Sequence, residues 1–301
     1  MTVPSLSSNF ADRHLDARRQ ADIDTVLPTR MEIIPGDEIV TRINALLPTS
    51  ATVTVTCLPH HGVGRTMRTA LQLASHGYRV VPHLAARSLS DRSQLAGILR
   101  DCEVAGITEV FAIAGDAPHY AGPYESSISL MEDIADISGG SMSIGVAGYP
   151  EGHPQVSQLR LLDSLLDKQH LASHVVTQMC FAAPKISGYV QLLRREGFQL
   201  PVWAGVAGPI ARSELIPLAR KIGVGTSLKF LSRQGPLSRR LLVGNRYSPE
   251  SLISELALMR NFVAGVHLYS FNSLDILPGL HSQQAEALVH VGANQGISNE
   301  R

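Results

Sequence analysis

Val110-Phe111-Ala112-Ile113-Ala114 is an unbroken apolar run with no polar alternation. A strand with one face in water alternates apolar and polar residues. A strand buried on both faces does not, and such strands belong to parallel sheets covered by helices. Working outward from this run, similar short segments occur at Arg30–Pro35, Thr52–Cys57, Tyr78–Leu84, Thr108–Ala114, Ser141–Ala147, His174–Cys180, Pro201–Val206 and Ala264–Phe271. Between them lie stretches of helical period: Asp37–Leu47, Thr66–Ser75, Ser90–Ala105, Ser127–Asp136, Gln155–Lys168, Ala183–Glu196, Ala211–Ile222 and Ser248–Phe262. Ser90-Asp91 supplies a cap for one helix, and Ser248-Pro249-Glu250 predicts a Ser cap with Pro at the first helical position of the last. This repeated alternation predicts a single (β/α)8 TIM-type barrel over residues 29–301 rather than an open sheet, preceded by a polar N-terminal arm at 1–28. The interval Gly223 to Tyr247 carries Lys229, Arg233, Arg239, Arg240 and Arg246 and reads as a long exposed loop or small excursion before the eighth unit.

Composition narrows the class. The chain has 301 residues, 44% hydrophobic and 17% charged, which fits a globular protein with a large core. Lys plus Arg and Asp plus Glu both total 26, so no bulk positive field exists to hold nucleic acid. Cys57, Cys102 and Cys180 are odd in number and widely spaced, forming neither a disulfide framework nor a zinc motif, and a reducing cytoplasm is expected. Residues 9–24 are rich in Arg and Asp without an apolar signal region, and no apolar run is long enough to span a membrane.

In a barrel of this kind the reacting groups stand where the strands end. Glu32 lies in the first strand segment, Thr56 ends the second and His83 the third. Asp116 follows the fourth, Tyr149 the fifth, and Gln178 lies in the sixth. Singly, each has a structural reading. Glu32 pairs with a rim Arg, His83 is a hydrogen-bonded core residue, Asp116 caps the turn before Pro118, Tyr149 packs, and Gln178 serves the backbone. As a set at one height they point to a site. His60 and His61 are adjacent and cannot both face one site on an extended backbone, so no metal centre is expected. Gly62-Val63-Gly64-Arg65-Thr66 is similar to a phosphate-binding turn but matches neither the P-loop nor the dinucleotide fingerprint.

At these positions the chain resembles the catalytic domain of the methylenetetrahydrofolate reductase family. Val146-Ala147-Gly148-Tyr149-Pro150-Glu151-Gly152-His153-Pro154 is close to that family's Ala-Ala-Tyr-Pro-Glu-x-His-Pro signature. Pro82-His83-Leu84, Met31-Glu32-Ile33-Ile34-Pro35, Gly115-Asp116-Ala117-Pro118 and Val176-Thr177-Gln178 match further motifs, in family order, over roughly residues 30 to 275. The resemblance implies that Glu32 is the general acid that protonates the folate nitrogen as the five-membered ring opens, with Ile33 and Ile34 favouring its protonated form. It implies that Asp116 binds the pterin and stabilises the iminium cation, and that Gln178 hydrogen-bonds the pterin. Thr56, His83, Tyr149 and Lys168 are the implied cofactor contacts.

The departures concern flavin. Family members usually carry FAD, approached by the Arg of an Arg-Gly-Asp triplet; here the triplet is Ala114-Gly115-Asp116. The helix after the fifth strand normally offers Asp, Asn and Lys to the cofactor. Here it reads Leu161-Leu162-Asp163-Ser164-Leu165-Leu166-Asp167-Lys168, keeping Lys168 after a small register shift, with Arg87 as a substitute for the missing Arg. Losing charge-assisted bonds costs about 1.5–3 kcal/mol each. The pattern implies a reductase in which NADH or NADPH passes hydride straight to the folate, without flavin. The alternatives are an FAD-dependent reductase and a non-catalytic folate-binding accessory protein. The match thins at Gly205-Val206-Ala207-Gly208-Pro209-Ile210, and at Asn272-Ser273, where Arg commonly follows the Asn.

Overall fold

The computed structural model describes residues 27–211, 213–215, 217, 242–243 and 246–274. Nearly all of the expected N-terminal arm lies outside them, as do most of the helix expected at Ala211–Ile222, Lys229, Arg233, Arg239 and Arg240. Eight parallel strands close into a barrel: β1 (Thr29–Ile33), β2 (Thr52–Val55), β3 (Arg79–Ala85), β4 (Glu109–Ile113), β5 (Ser143–Gly148), β6 (His174–Thr177), β7 (Val202–Ala207) and, after three short strands, β11 (Gly265–Tyr269). All eight expected strands are present; six are shorter than the apolar run that marked them, and β3 and β7 keep its length one residue further along. The short strands β8 (Ile210–Ala211), β9 (Leu242–Val243) and β10 (Arg246–Tyr247) form a small antiparallel sheet in the order β8-β10-β9. β9 and β10 fall within the Gly223–Tyr247 interval read as a loop or small excursion; the rest of that interval lies outside the described residues.

Helices α1 (Ile39–Leu46), α2 (Gly62–Ser75), α3 (Arg92–Val104), α4 (Ser127–Ile137), α5 (Gln158–Lys168), α6 (Ala183–Arg195) and α7 (Glu250–Leu258) connect the strands. Their apolar stripes face the barrel: in α2, Val63, Thr66, Met67, Ala70 and Leu73 recur at helical spacing and are buried. The α3 cap is as expected, with Asp91 Oδ1 accepting the Gln94 N–H at 2.7 Å. In α7 the assignment moves by one residue: Pro249 takes the cap position and Ser248 Oγ accepts the Glu250 N–H at 3.4 Å. α2 starts at Gly62, four residues before the expected Thr66, so the Gly-Val-Gly-Arg segment is its first turn.

The barrel closes between its first and last strands. Asn272, in the left-handed region at φ 61°, clamps the backbone of Ile34: its Oδ1 accepts the Ile34 N–H at 2.8 Å and its Nδ2 donates to the Ile34 carbonyl at 2.9 Å. Ser270 Oγ donates to the Glu32 carbonyl at 2.6 Å. Asn tolerates this backbone region better than most residues because its short amide bonds locally. Cys57, Cys102 and Cys180 are buried free thiols. Among the described residues no helix is long and apolar enough to cross a membrane.

Candidate active site

Strand register determines what fills the barrel. Side chains of paired residues in a parallel sheet share a face. Glu32 stands beside Thr54 and Tyr269, Thr54 beside Val81, and His267 beside Arg30 and Gly205. His83 stands beside Phe111, Phe111 beside Gly145, and Gly145 beside His174. One face therefore runs unbroken round the interior. Its midsection is apolar, with Val81, Phe111 and Val176 packed together. Its two ends are polar, with different partners.

At the end where strands begin, Arg30 forms an ion pair with Glu109 across the barrel, their side chains 13% and 16% exposed. The same guanidinium lies 3.1 Å from His174 Nε2 and 4.0 Å above the Trp203 ring. Gly145 leaves room for this: an added Cβ would fall 2.5 Å from His174 Nε2. Beyond His174, Nδ1 meets Ser173 Oγ at 2.9 Å. Among the described residues no Arg pairs with Glu32 as expected; Arg30, inside the barrel, serves Glu109 instead.

Toward the end where strands finish, Glu32 Oε2 lies 2.9 Å from His267 Nε2 and 3.7 Å from His83 Nε2. Ile33 points the other way, into the core beneath the helices, as period-two alternation requires. The carboxyl group is therefore faced by two imidazoles and Tyr269, and Ile33 does not flank it as expected. His83 is buried against the Phe111 ring, and burial pushes its imidazole down to about 4, only partly offset by Glu32. His174 is pushed down to about 3 by burial, with Arg30 and His267 adding to the effect. Burial raises the Tyr269 phenol well above its usual range; its hydroxyl donates to the Thr177 carbonyl at 2.9 Å.

These two histidines make stability pH-dependent. Both are neutral in the folded state at pH 6.5 and below, whereas an unfolded histidine protonates near 6.5. The unfolded chain therefore takes up protons that the fold refuses. Their contribution is fully present above about 6.5 and is lost as pH falls from there toward about 4 for His83 and about 3 for His174, each pH unit being worth about 1.4 kcal/mol per group. Calorimetry between about pH 6.5 and 5, above most carboxylate titrations, should show His174→Gln taking up fewer protons on unfolding than the unmodified chain, the difference growing from about half a proton at pH 6.5 to nearly one at pH 5. Equal uptake would refute the burial of His174 in neutral form.

The remaining candidates sit on the rim, not at the height of Glu32. Thr56 is the first residue after β2, and its buried Oγ1 has no partner among the described residues. Tyr149 follows β5; its phenol is raised by burial and then by Asp116, which puts the two side chains near each other. Asp116 is exposed, and no hydrogen bond holds its carboxylate among the described residues. Gln178 lies one residue past β6 rather than in it, fixed by its N–H to the Gly148 carbonyl at 2.7 Å.

Two expected cofactor contacts are placed elsewhere. Lys168 ends α5 and its carbonyl accepts the Ala172 N–H, just before Ser173 joins Ile144 near the start of β5. Its backbone is at the end where strands begin, and the structure does not bring it to the cluster. Arg87 turns to its own loop: its Nη1 donates to the Ala117 carbonyl at 3.3 Å and its guanidinium lies 5.1 Å from the Tyr120 ring. Its backbone carbonyl also accepts the Ala121 N–H. Arg87 thus braces the loop that carries Asp116 instead of standing in for a flavin-facing Arg.

With this geometry in hand, the comparison with known families is decisive: the methylenetetrahydrofolate reductase profile matches residues 37–279. The chain belongs to the methylenetetrahydrofolate reductase family. The match covers Thr56, His83, Asp116, Tyr149, Lys168 and Gln178 and begins just after Glu32. Relatives in this family include methylenetetrahydrofolate reductase 2 of Saccharomyces cerevisiae, 25% identical over 60% of this chain and 32% of that one. A probable methylenetetrahydrofolate reductase (NADPH) of Caenorhabditis elegans is 25% identical over 58% of this chain and 28% of its own length. The 5,10-methylenetetrahydrofolate reductase of Salmonella typhimurium is 25% identical, covering 66% of this chain and 68% of the relative. The chain thus spans about a third of the yeast and nematode proteins. Among solved structures, 2,3-dimethylmalate lyase, a PEP mutase/isocitrate lyase superfamily member, has a TM-score of 0.50 at 8% identity over 95% of this chain and 90% of that one, a likeness of fold alone.

Three interior residues had escaped the sequence reading: His267 and Tyr269 beside Glu32, and Arg30 at the opposite end. Their signal is the spacing Arg30-x-Glu32 and His267-x-Tyr269, polar groups two apart in short strands, which both face the interior.

Proposed function

We propose that the chain reduces 5,10-methylenetetrahydrofolate to 5-methyltetrahydrofolate, taking hydride directly from NADH or NADPH without a resident flavin. The carrying observation is the mouth of the barrel: a carboxyl group bonded at one oxygen by His267, with the neutral His83 ring 3.7 Å from that oxygen, and on the rim near Tyr149 the carboxylate of Asp116, which no described residue bonds. Glu32 gives its proton to the folate nitrogen as the carbon–nitrogen bond breaks, and the bond's electron pair goes to that nitrogen. The other ring nitrogen then forms an iminium with the methylene carbon. Asp116 stabilises this cation because no described residue bonds its carboxylate, and Gln178 holds the pterin edge. The reduced nicotinamide is a two-electron donor and delivers hydride to the methylene carbon, giving the methyl group. Thr56 and Tyr149 border the space for its ring.

The residues present do not fit the family's flavin. Ala114 has no charge to offer, Arg87 is committed to Ala117 and Tyr120, and Lys168 stands at the far end of α5. His83, another implied flavin contact, turns inward to Glu32.

The test is a visible absorption spectrum of the purified protein and, on the same sample, an assay with methylenetetrahydrofolate and NADH or NADPH, with and without added FAD. Turnover with no flavin band and no stimulation by FAD is the expected result. A flavin band, or activity that depends on FAD, would restore the flavin mechanism. No turnover with either nicotinamide while folate still binds would identify a non-catalytic binding protein.

A further inference from the structure

Glu32 is held unevenly. Both imidazoles that reach it approach the same atom, Oε2, His267 Nε2 at 2.9 Å and His83 Nε2 at 3.7 Å. Oε1 has no protein partner among the described residues. The two oxygens are therefore distinct: one is fixed inside the barrel and the other is left for the substrate. His267 Nδ1 is buried without a partner among the described residues. An unpaired ring acceptor is cheaper to bury than an unpaired N–H, so the hydrogen-bond network assigns the proton to Nε2, as a donor to Oε2.

We propose that His267 is a positioning residue for the acid: it pins Oε2, presents Oε1–H to the folate nitrogen, and stabilises the carboxylate that proton transfer leaves behind. This inference rests on the reaction proposed above. As the O–H bond breaks and the new N–H bond forms, negative charge grows on Glu32. The His267 N–H···O bond then changes from neutral to charge-assisted and strengthens. An interaction that strengthens along the reaction lowers its barrel-mouth barrier, whereas one of constant strength does not. The position is built for this. His267 is about 1% exposed, and it is locked between Tyr269, whose ring lies 5.0 Å away, and Arg30, its register partner on β1. Glu32 is faced by His83 from β3 and by His267 and Tyr269 from β11; His267 is faced by Arg30 and Glu32 from β1 and by His174 from β6. His83 and His174 are held neutral at pH 7 by burial, and Tyr269 keeps its proton, so these three do not titrate near neutrality.

The experiment compares unmodified protein with His267→Ala and His267→Gln. Removing one such donor lowers kcat by about 100-fold, with the folate KM little changed, and Gln, which carries an N–H, recovers part of the loss. The alkaline limb of the kcat profile, where the acid loses its proton, moves to higher pH by about one to two units in His267→Ala. A purely structural role would lower the melting temperature and leave that limb in place. A second readout does not depend on turnover: the infrared carboxyl band of Glu32, identified by its loss in Glu32→Gln, should titrate at higher pH in both His267 variants, less so in Gln. A folded variant with the unmodified limb, or with an unmoved carboxyl band, overturns the inference. Absence of turnover in the unmodified protein defeats the proposed reaction instead, and the infrared titration still decides whether His267 governs Glu32.

Discussion

Glu32→Gln should keep folate binding and lose turnover, with kcat down by about 10²- to 10⁴-fold, the usual contribution of a positioned general acid. Gln has the same shape and an oxygen that still accepts from His267 Nε2, so the pocket keeps its form. What disappears is the transferable proton. Without it the folate nitrogen leaves as an anion, and the ring opens too slowly to deliver an iminium for reduction. The measurements are folate affinity by fluorescence or calorimetry, and NADH oxidation under saturating folate. Loss of both binding and turnover would indicate damage to the pocket rather than to the acid. Turnover within a few-fold of the unmodified enzyme would remove Glu32 from the mechanism altogether.

The largest effect on stability is expected at the opposite end of the barrel. Glu109→Ala leaves the Arg30 guanidinium in the interior with no counter-charge beside it, only the neutral His174 ring and the Trp203 face. Removing one partner of a buried pair costs about 3–5 kcal/mol. Because these side chains keep 13% and 16% of their exposure, about 2–3 kcal/mol is the better expectation after solvent screening. For a chain of this size that corresponds to a melting temperature lower by about 3–5 °C. The double replacement Arg30→Met with Glu109→Leu should recover most of the loss, since an apolar pair of similar volume avoids both desolvation costs. Urea melts of the three proteins check this. A Glu109→Ala protein that melts with the unmodified chain would show that the pair is solvated and carries no energy.

The barrel itself was legible from local pattern, because each strand announces itself as a short apolar run and each helix by its spacing. Val110-Phe111-Ala112-Ile113 needed no partner to be recognised. The rim residues were legible too, since motifs such as Gly148-Tyr149-Pro150 place them by chain order. The interior was not. In strands buried on both faces, sequence does not say which alternate residues point inward, and the answer comes only from register across the sheet. His267 and Glu32 are 235 positions apart, and Arg30 and Glu109 are 79 apart. Neither pairing leaves a local trace. The same limitation made Ile33 look like a neighbour of the Glu32 carboxyl group, although adjacent strand residues point to opposite faces.

The closure by Asn272 and Ser270 also bears on how the chain comes alive during synthesis. β1 leaves the ribosome early and waits for β11, which is made near the end of the described barrel. Until that last strand docks, the Glu32 carbonyl lacks Ser270 and its carboxyl group lacks His267. Such distant pairings form late in folding, because the loop between them must be closed first. A nascent chain that has not yet added β11 therefore lacks the His267 contact on which the proposed acid depends.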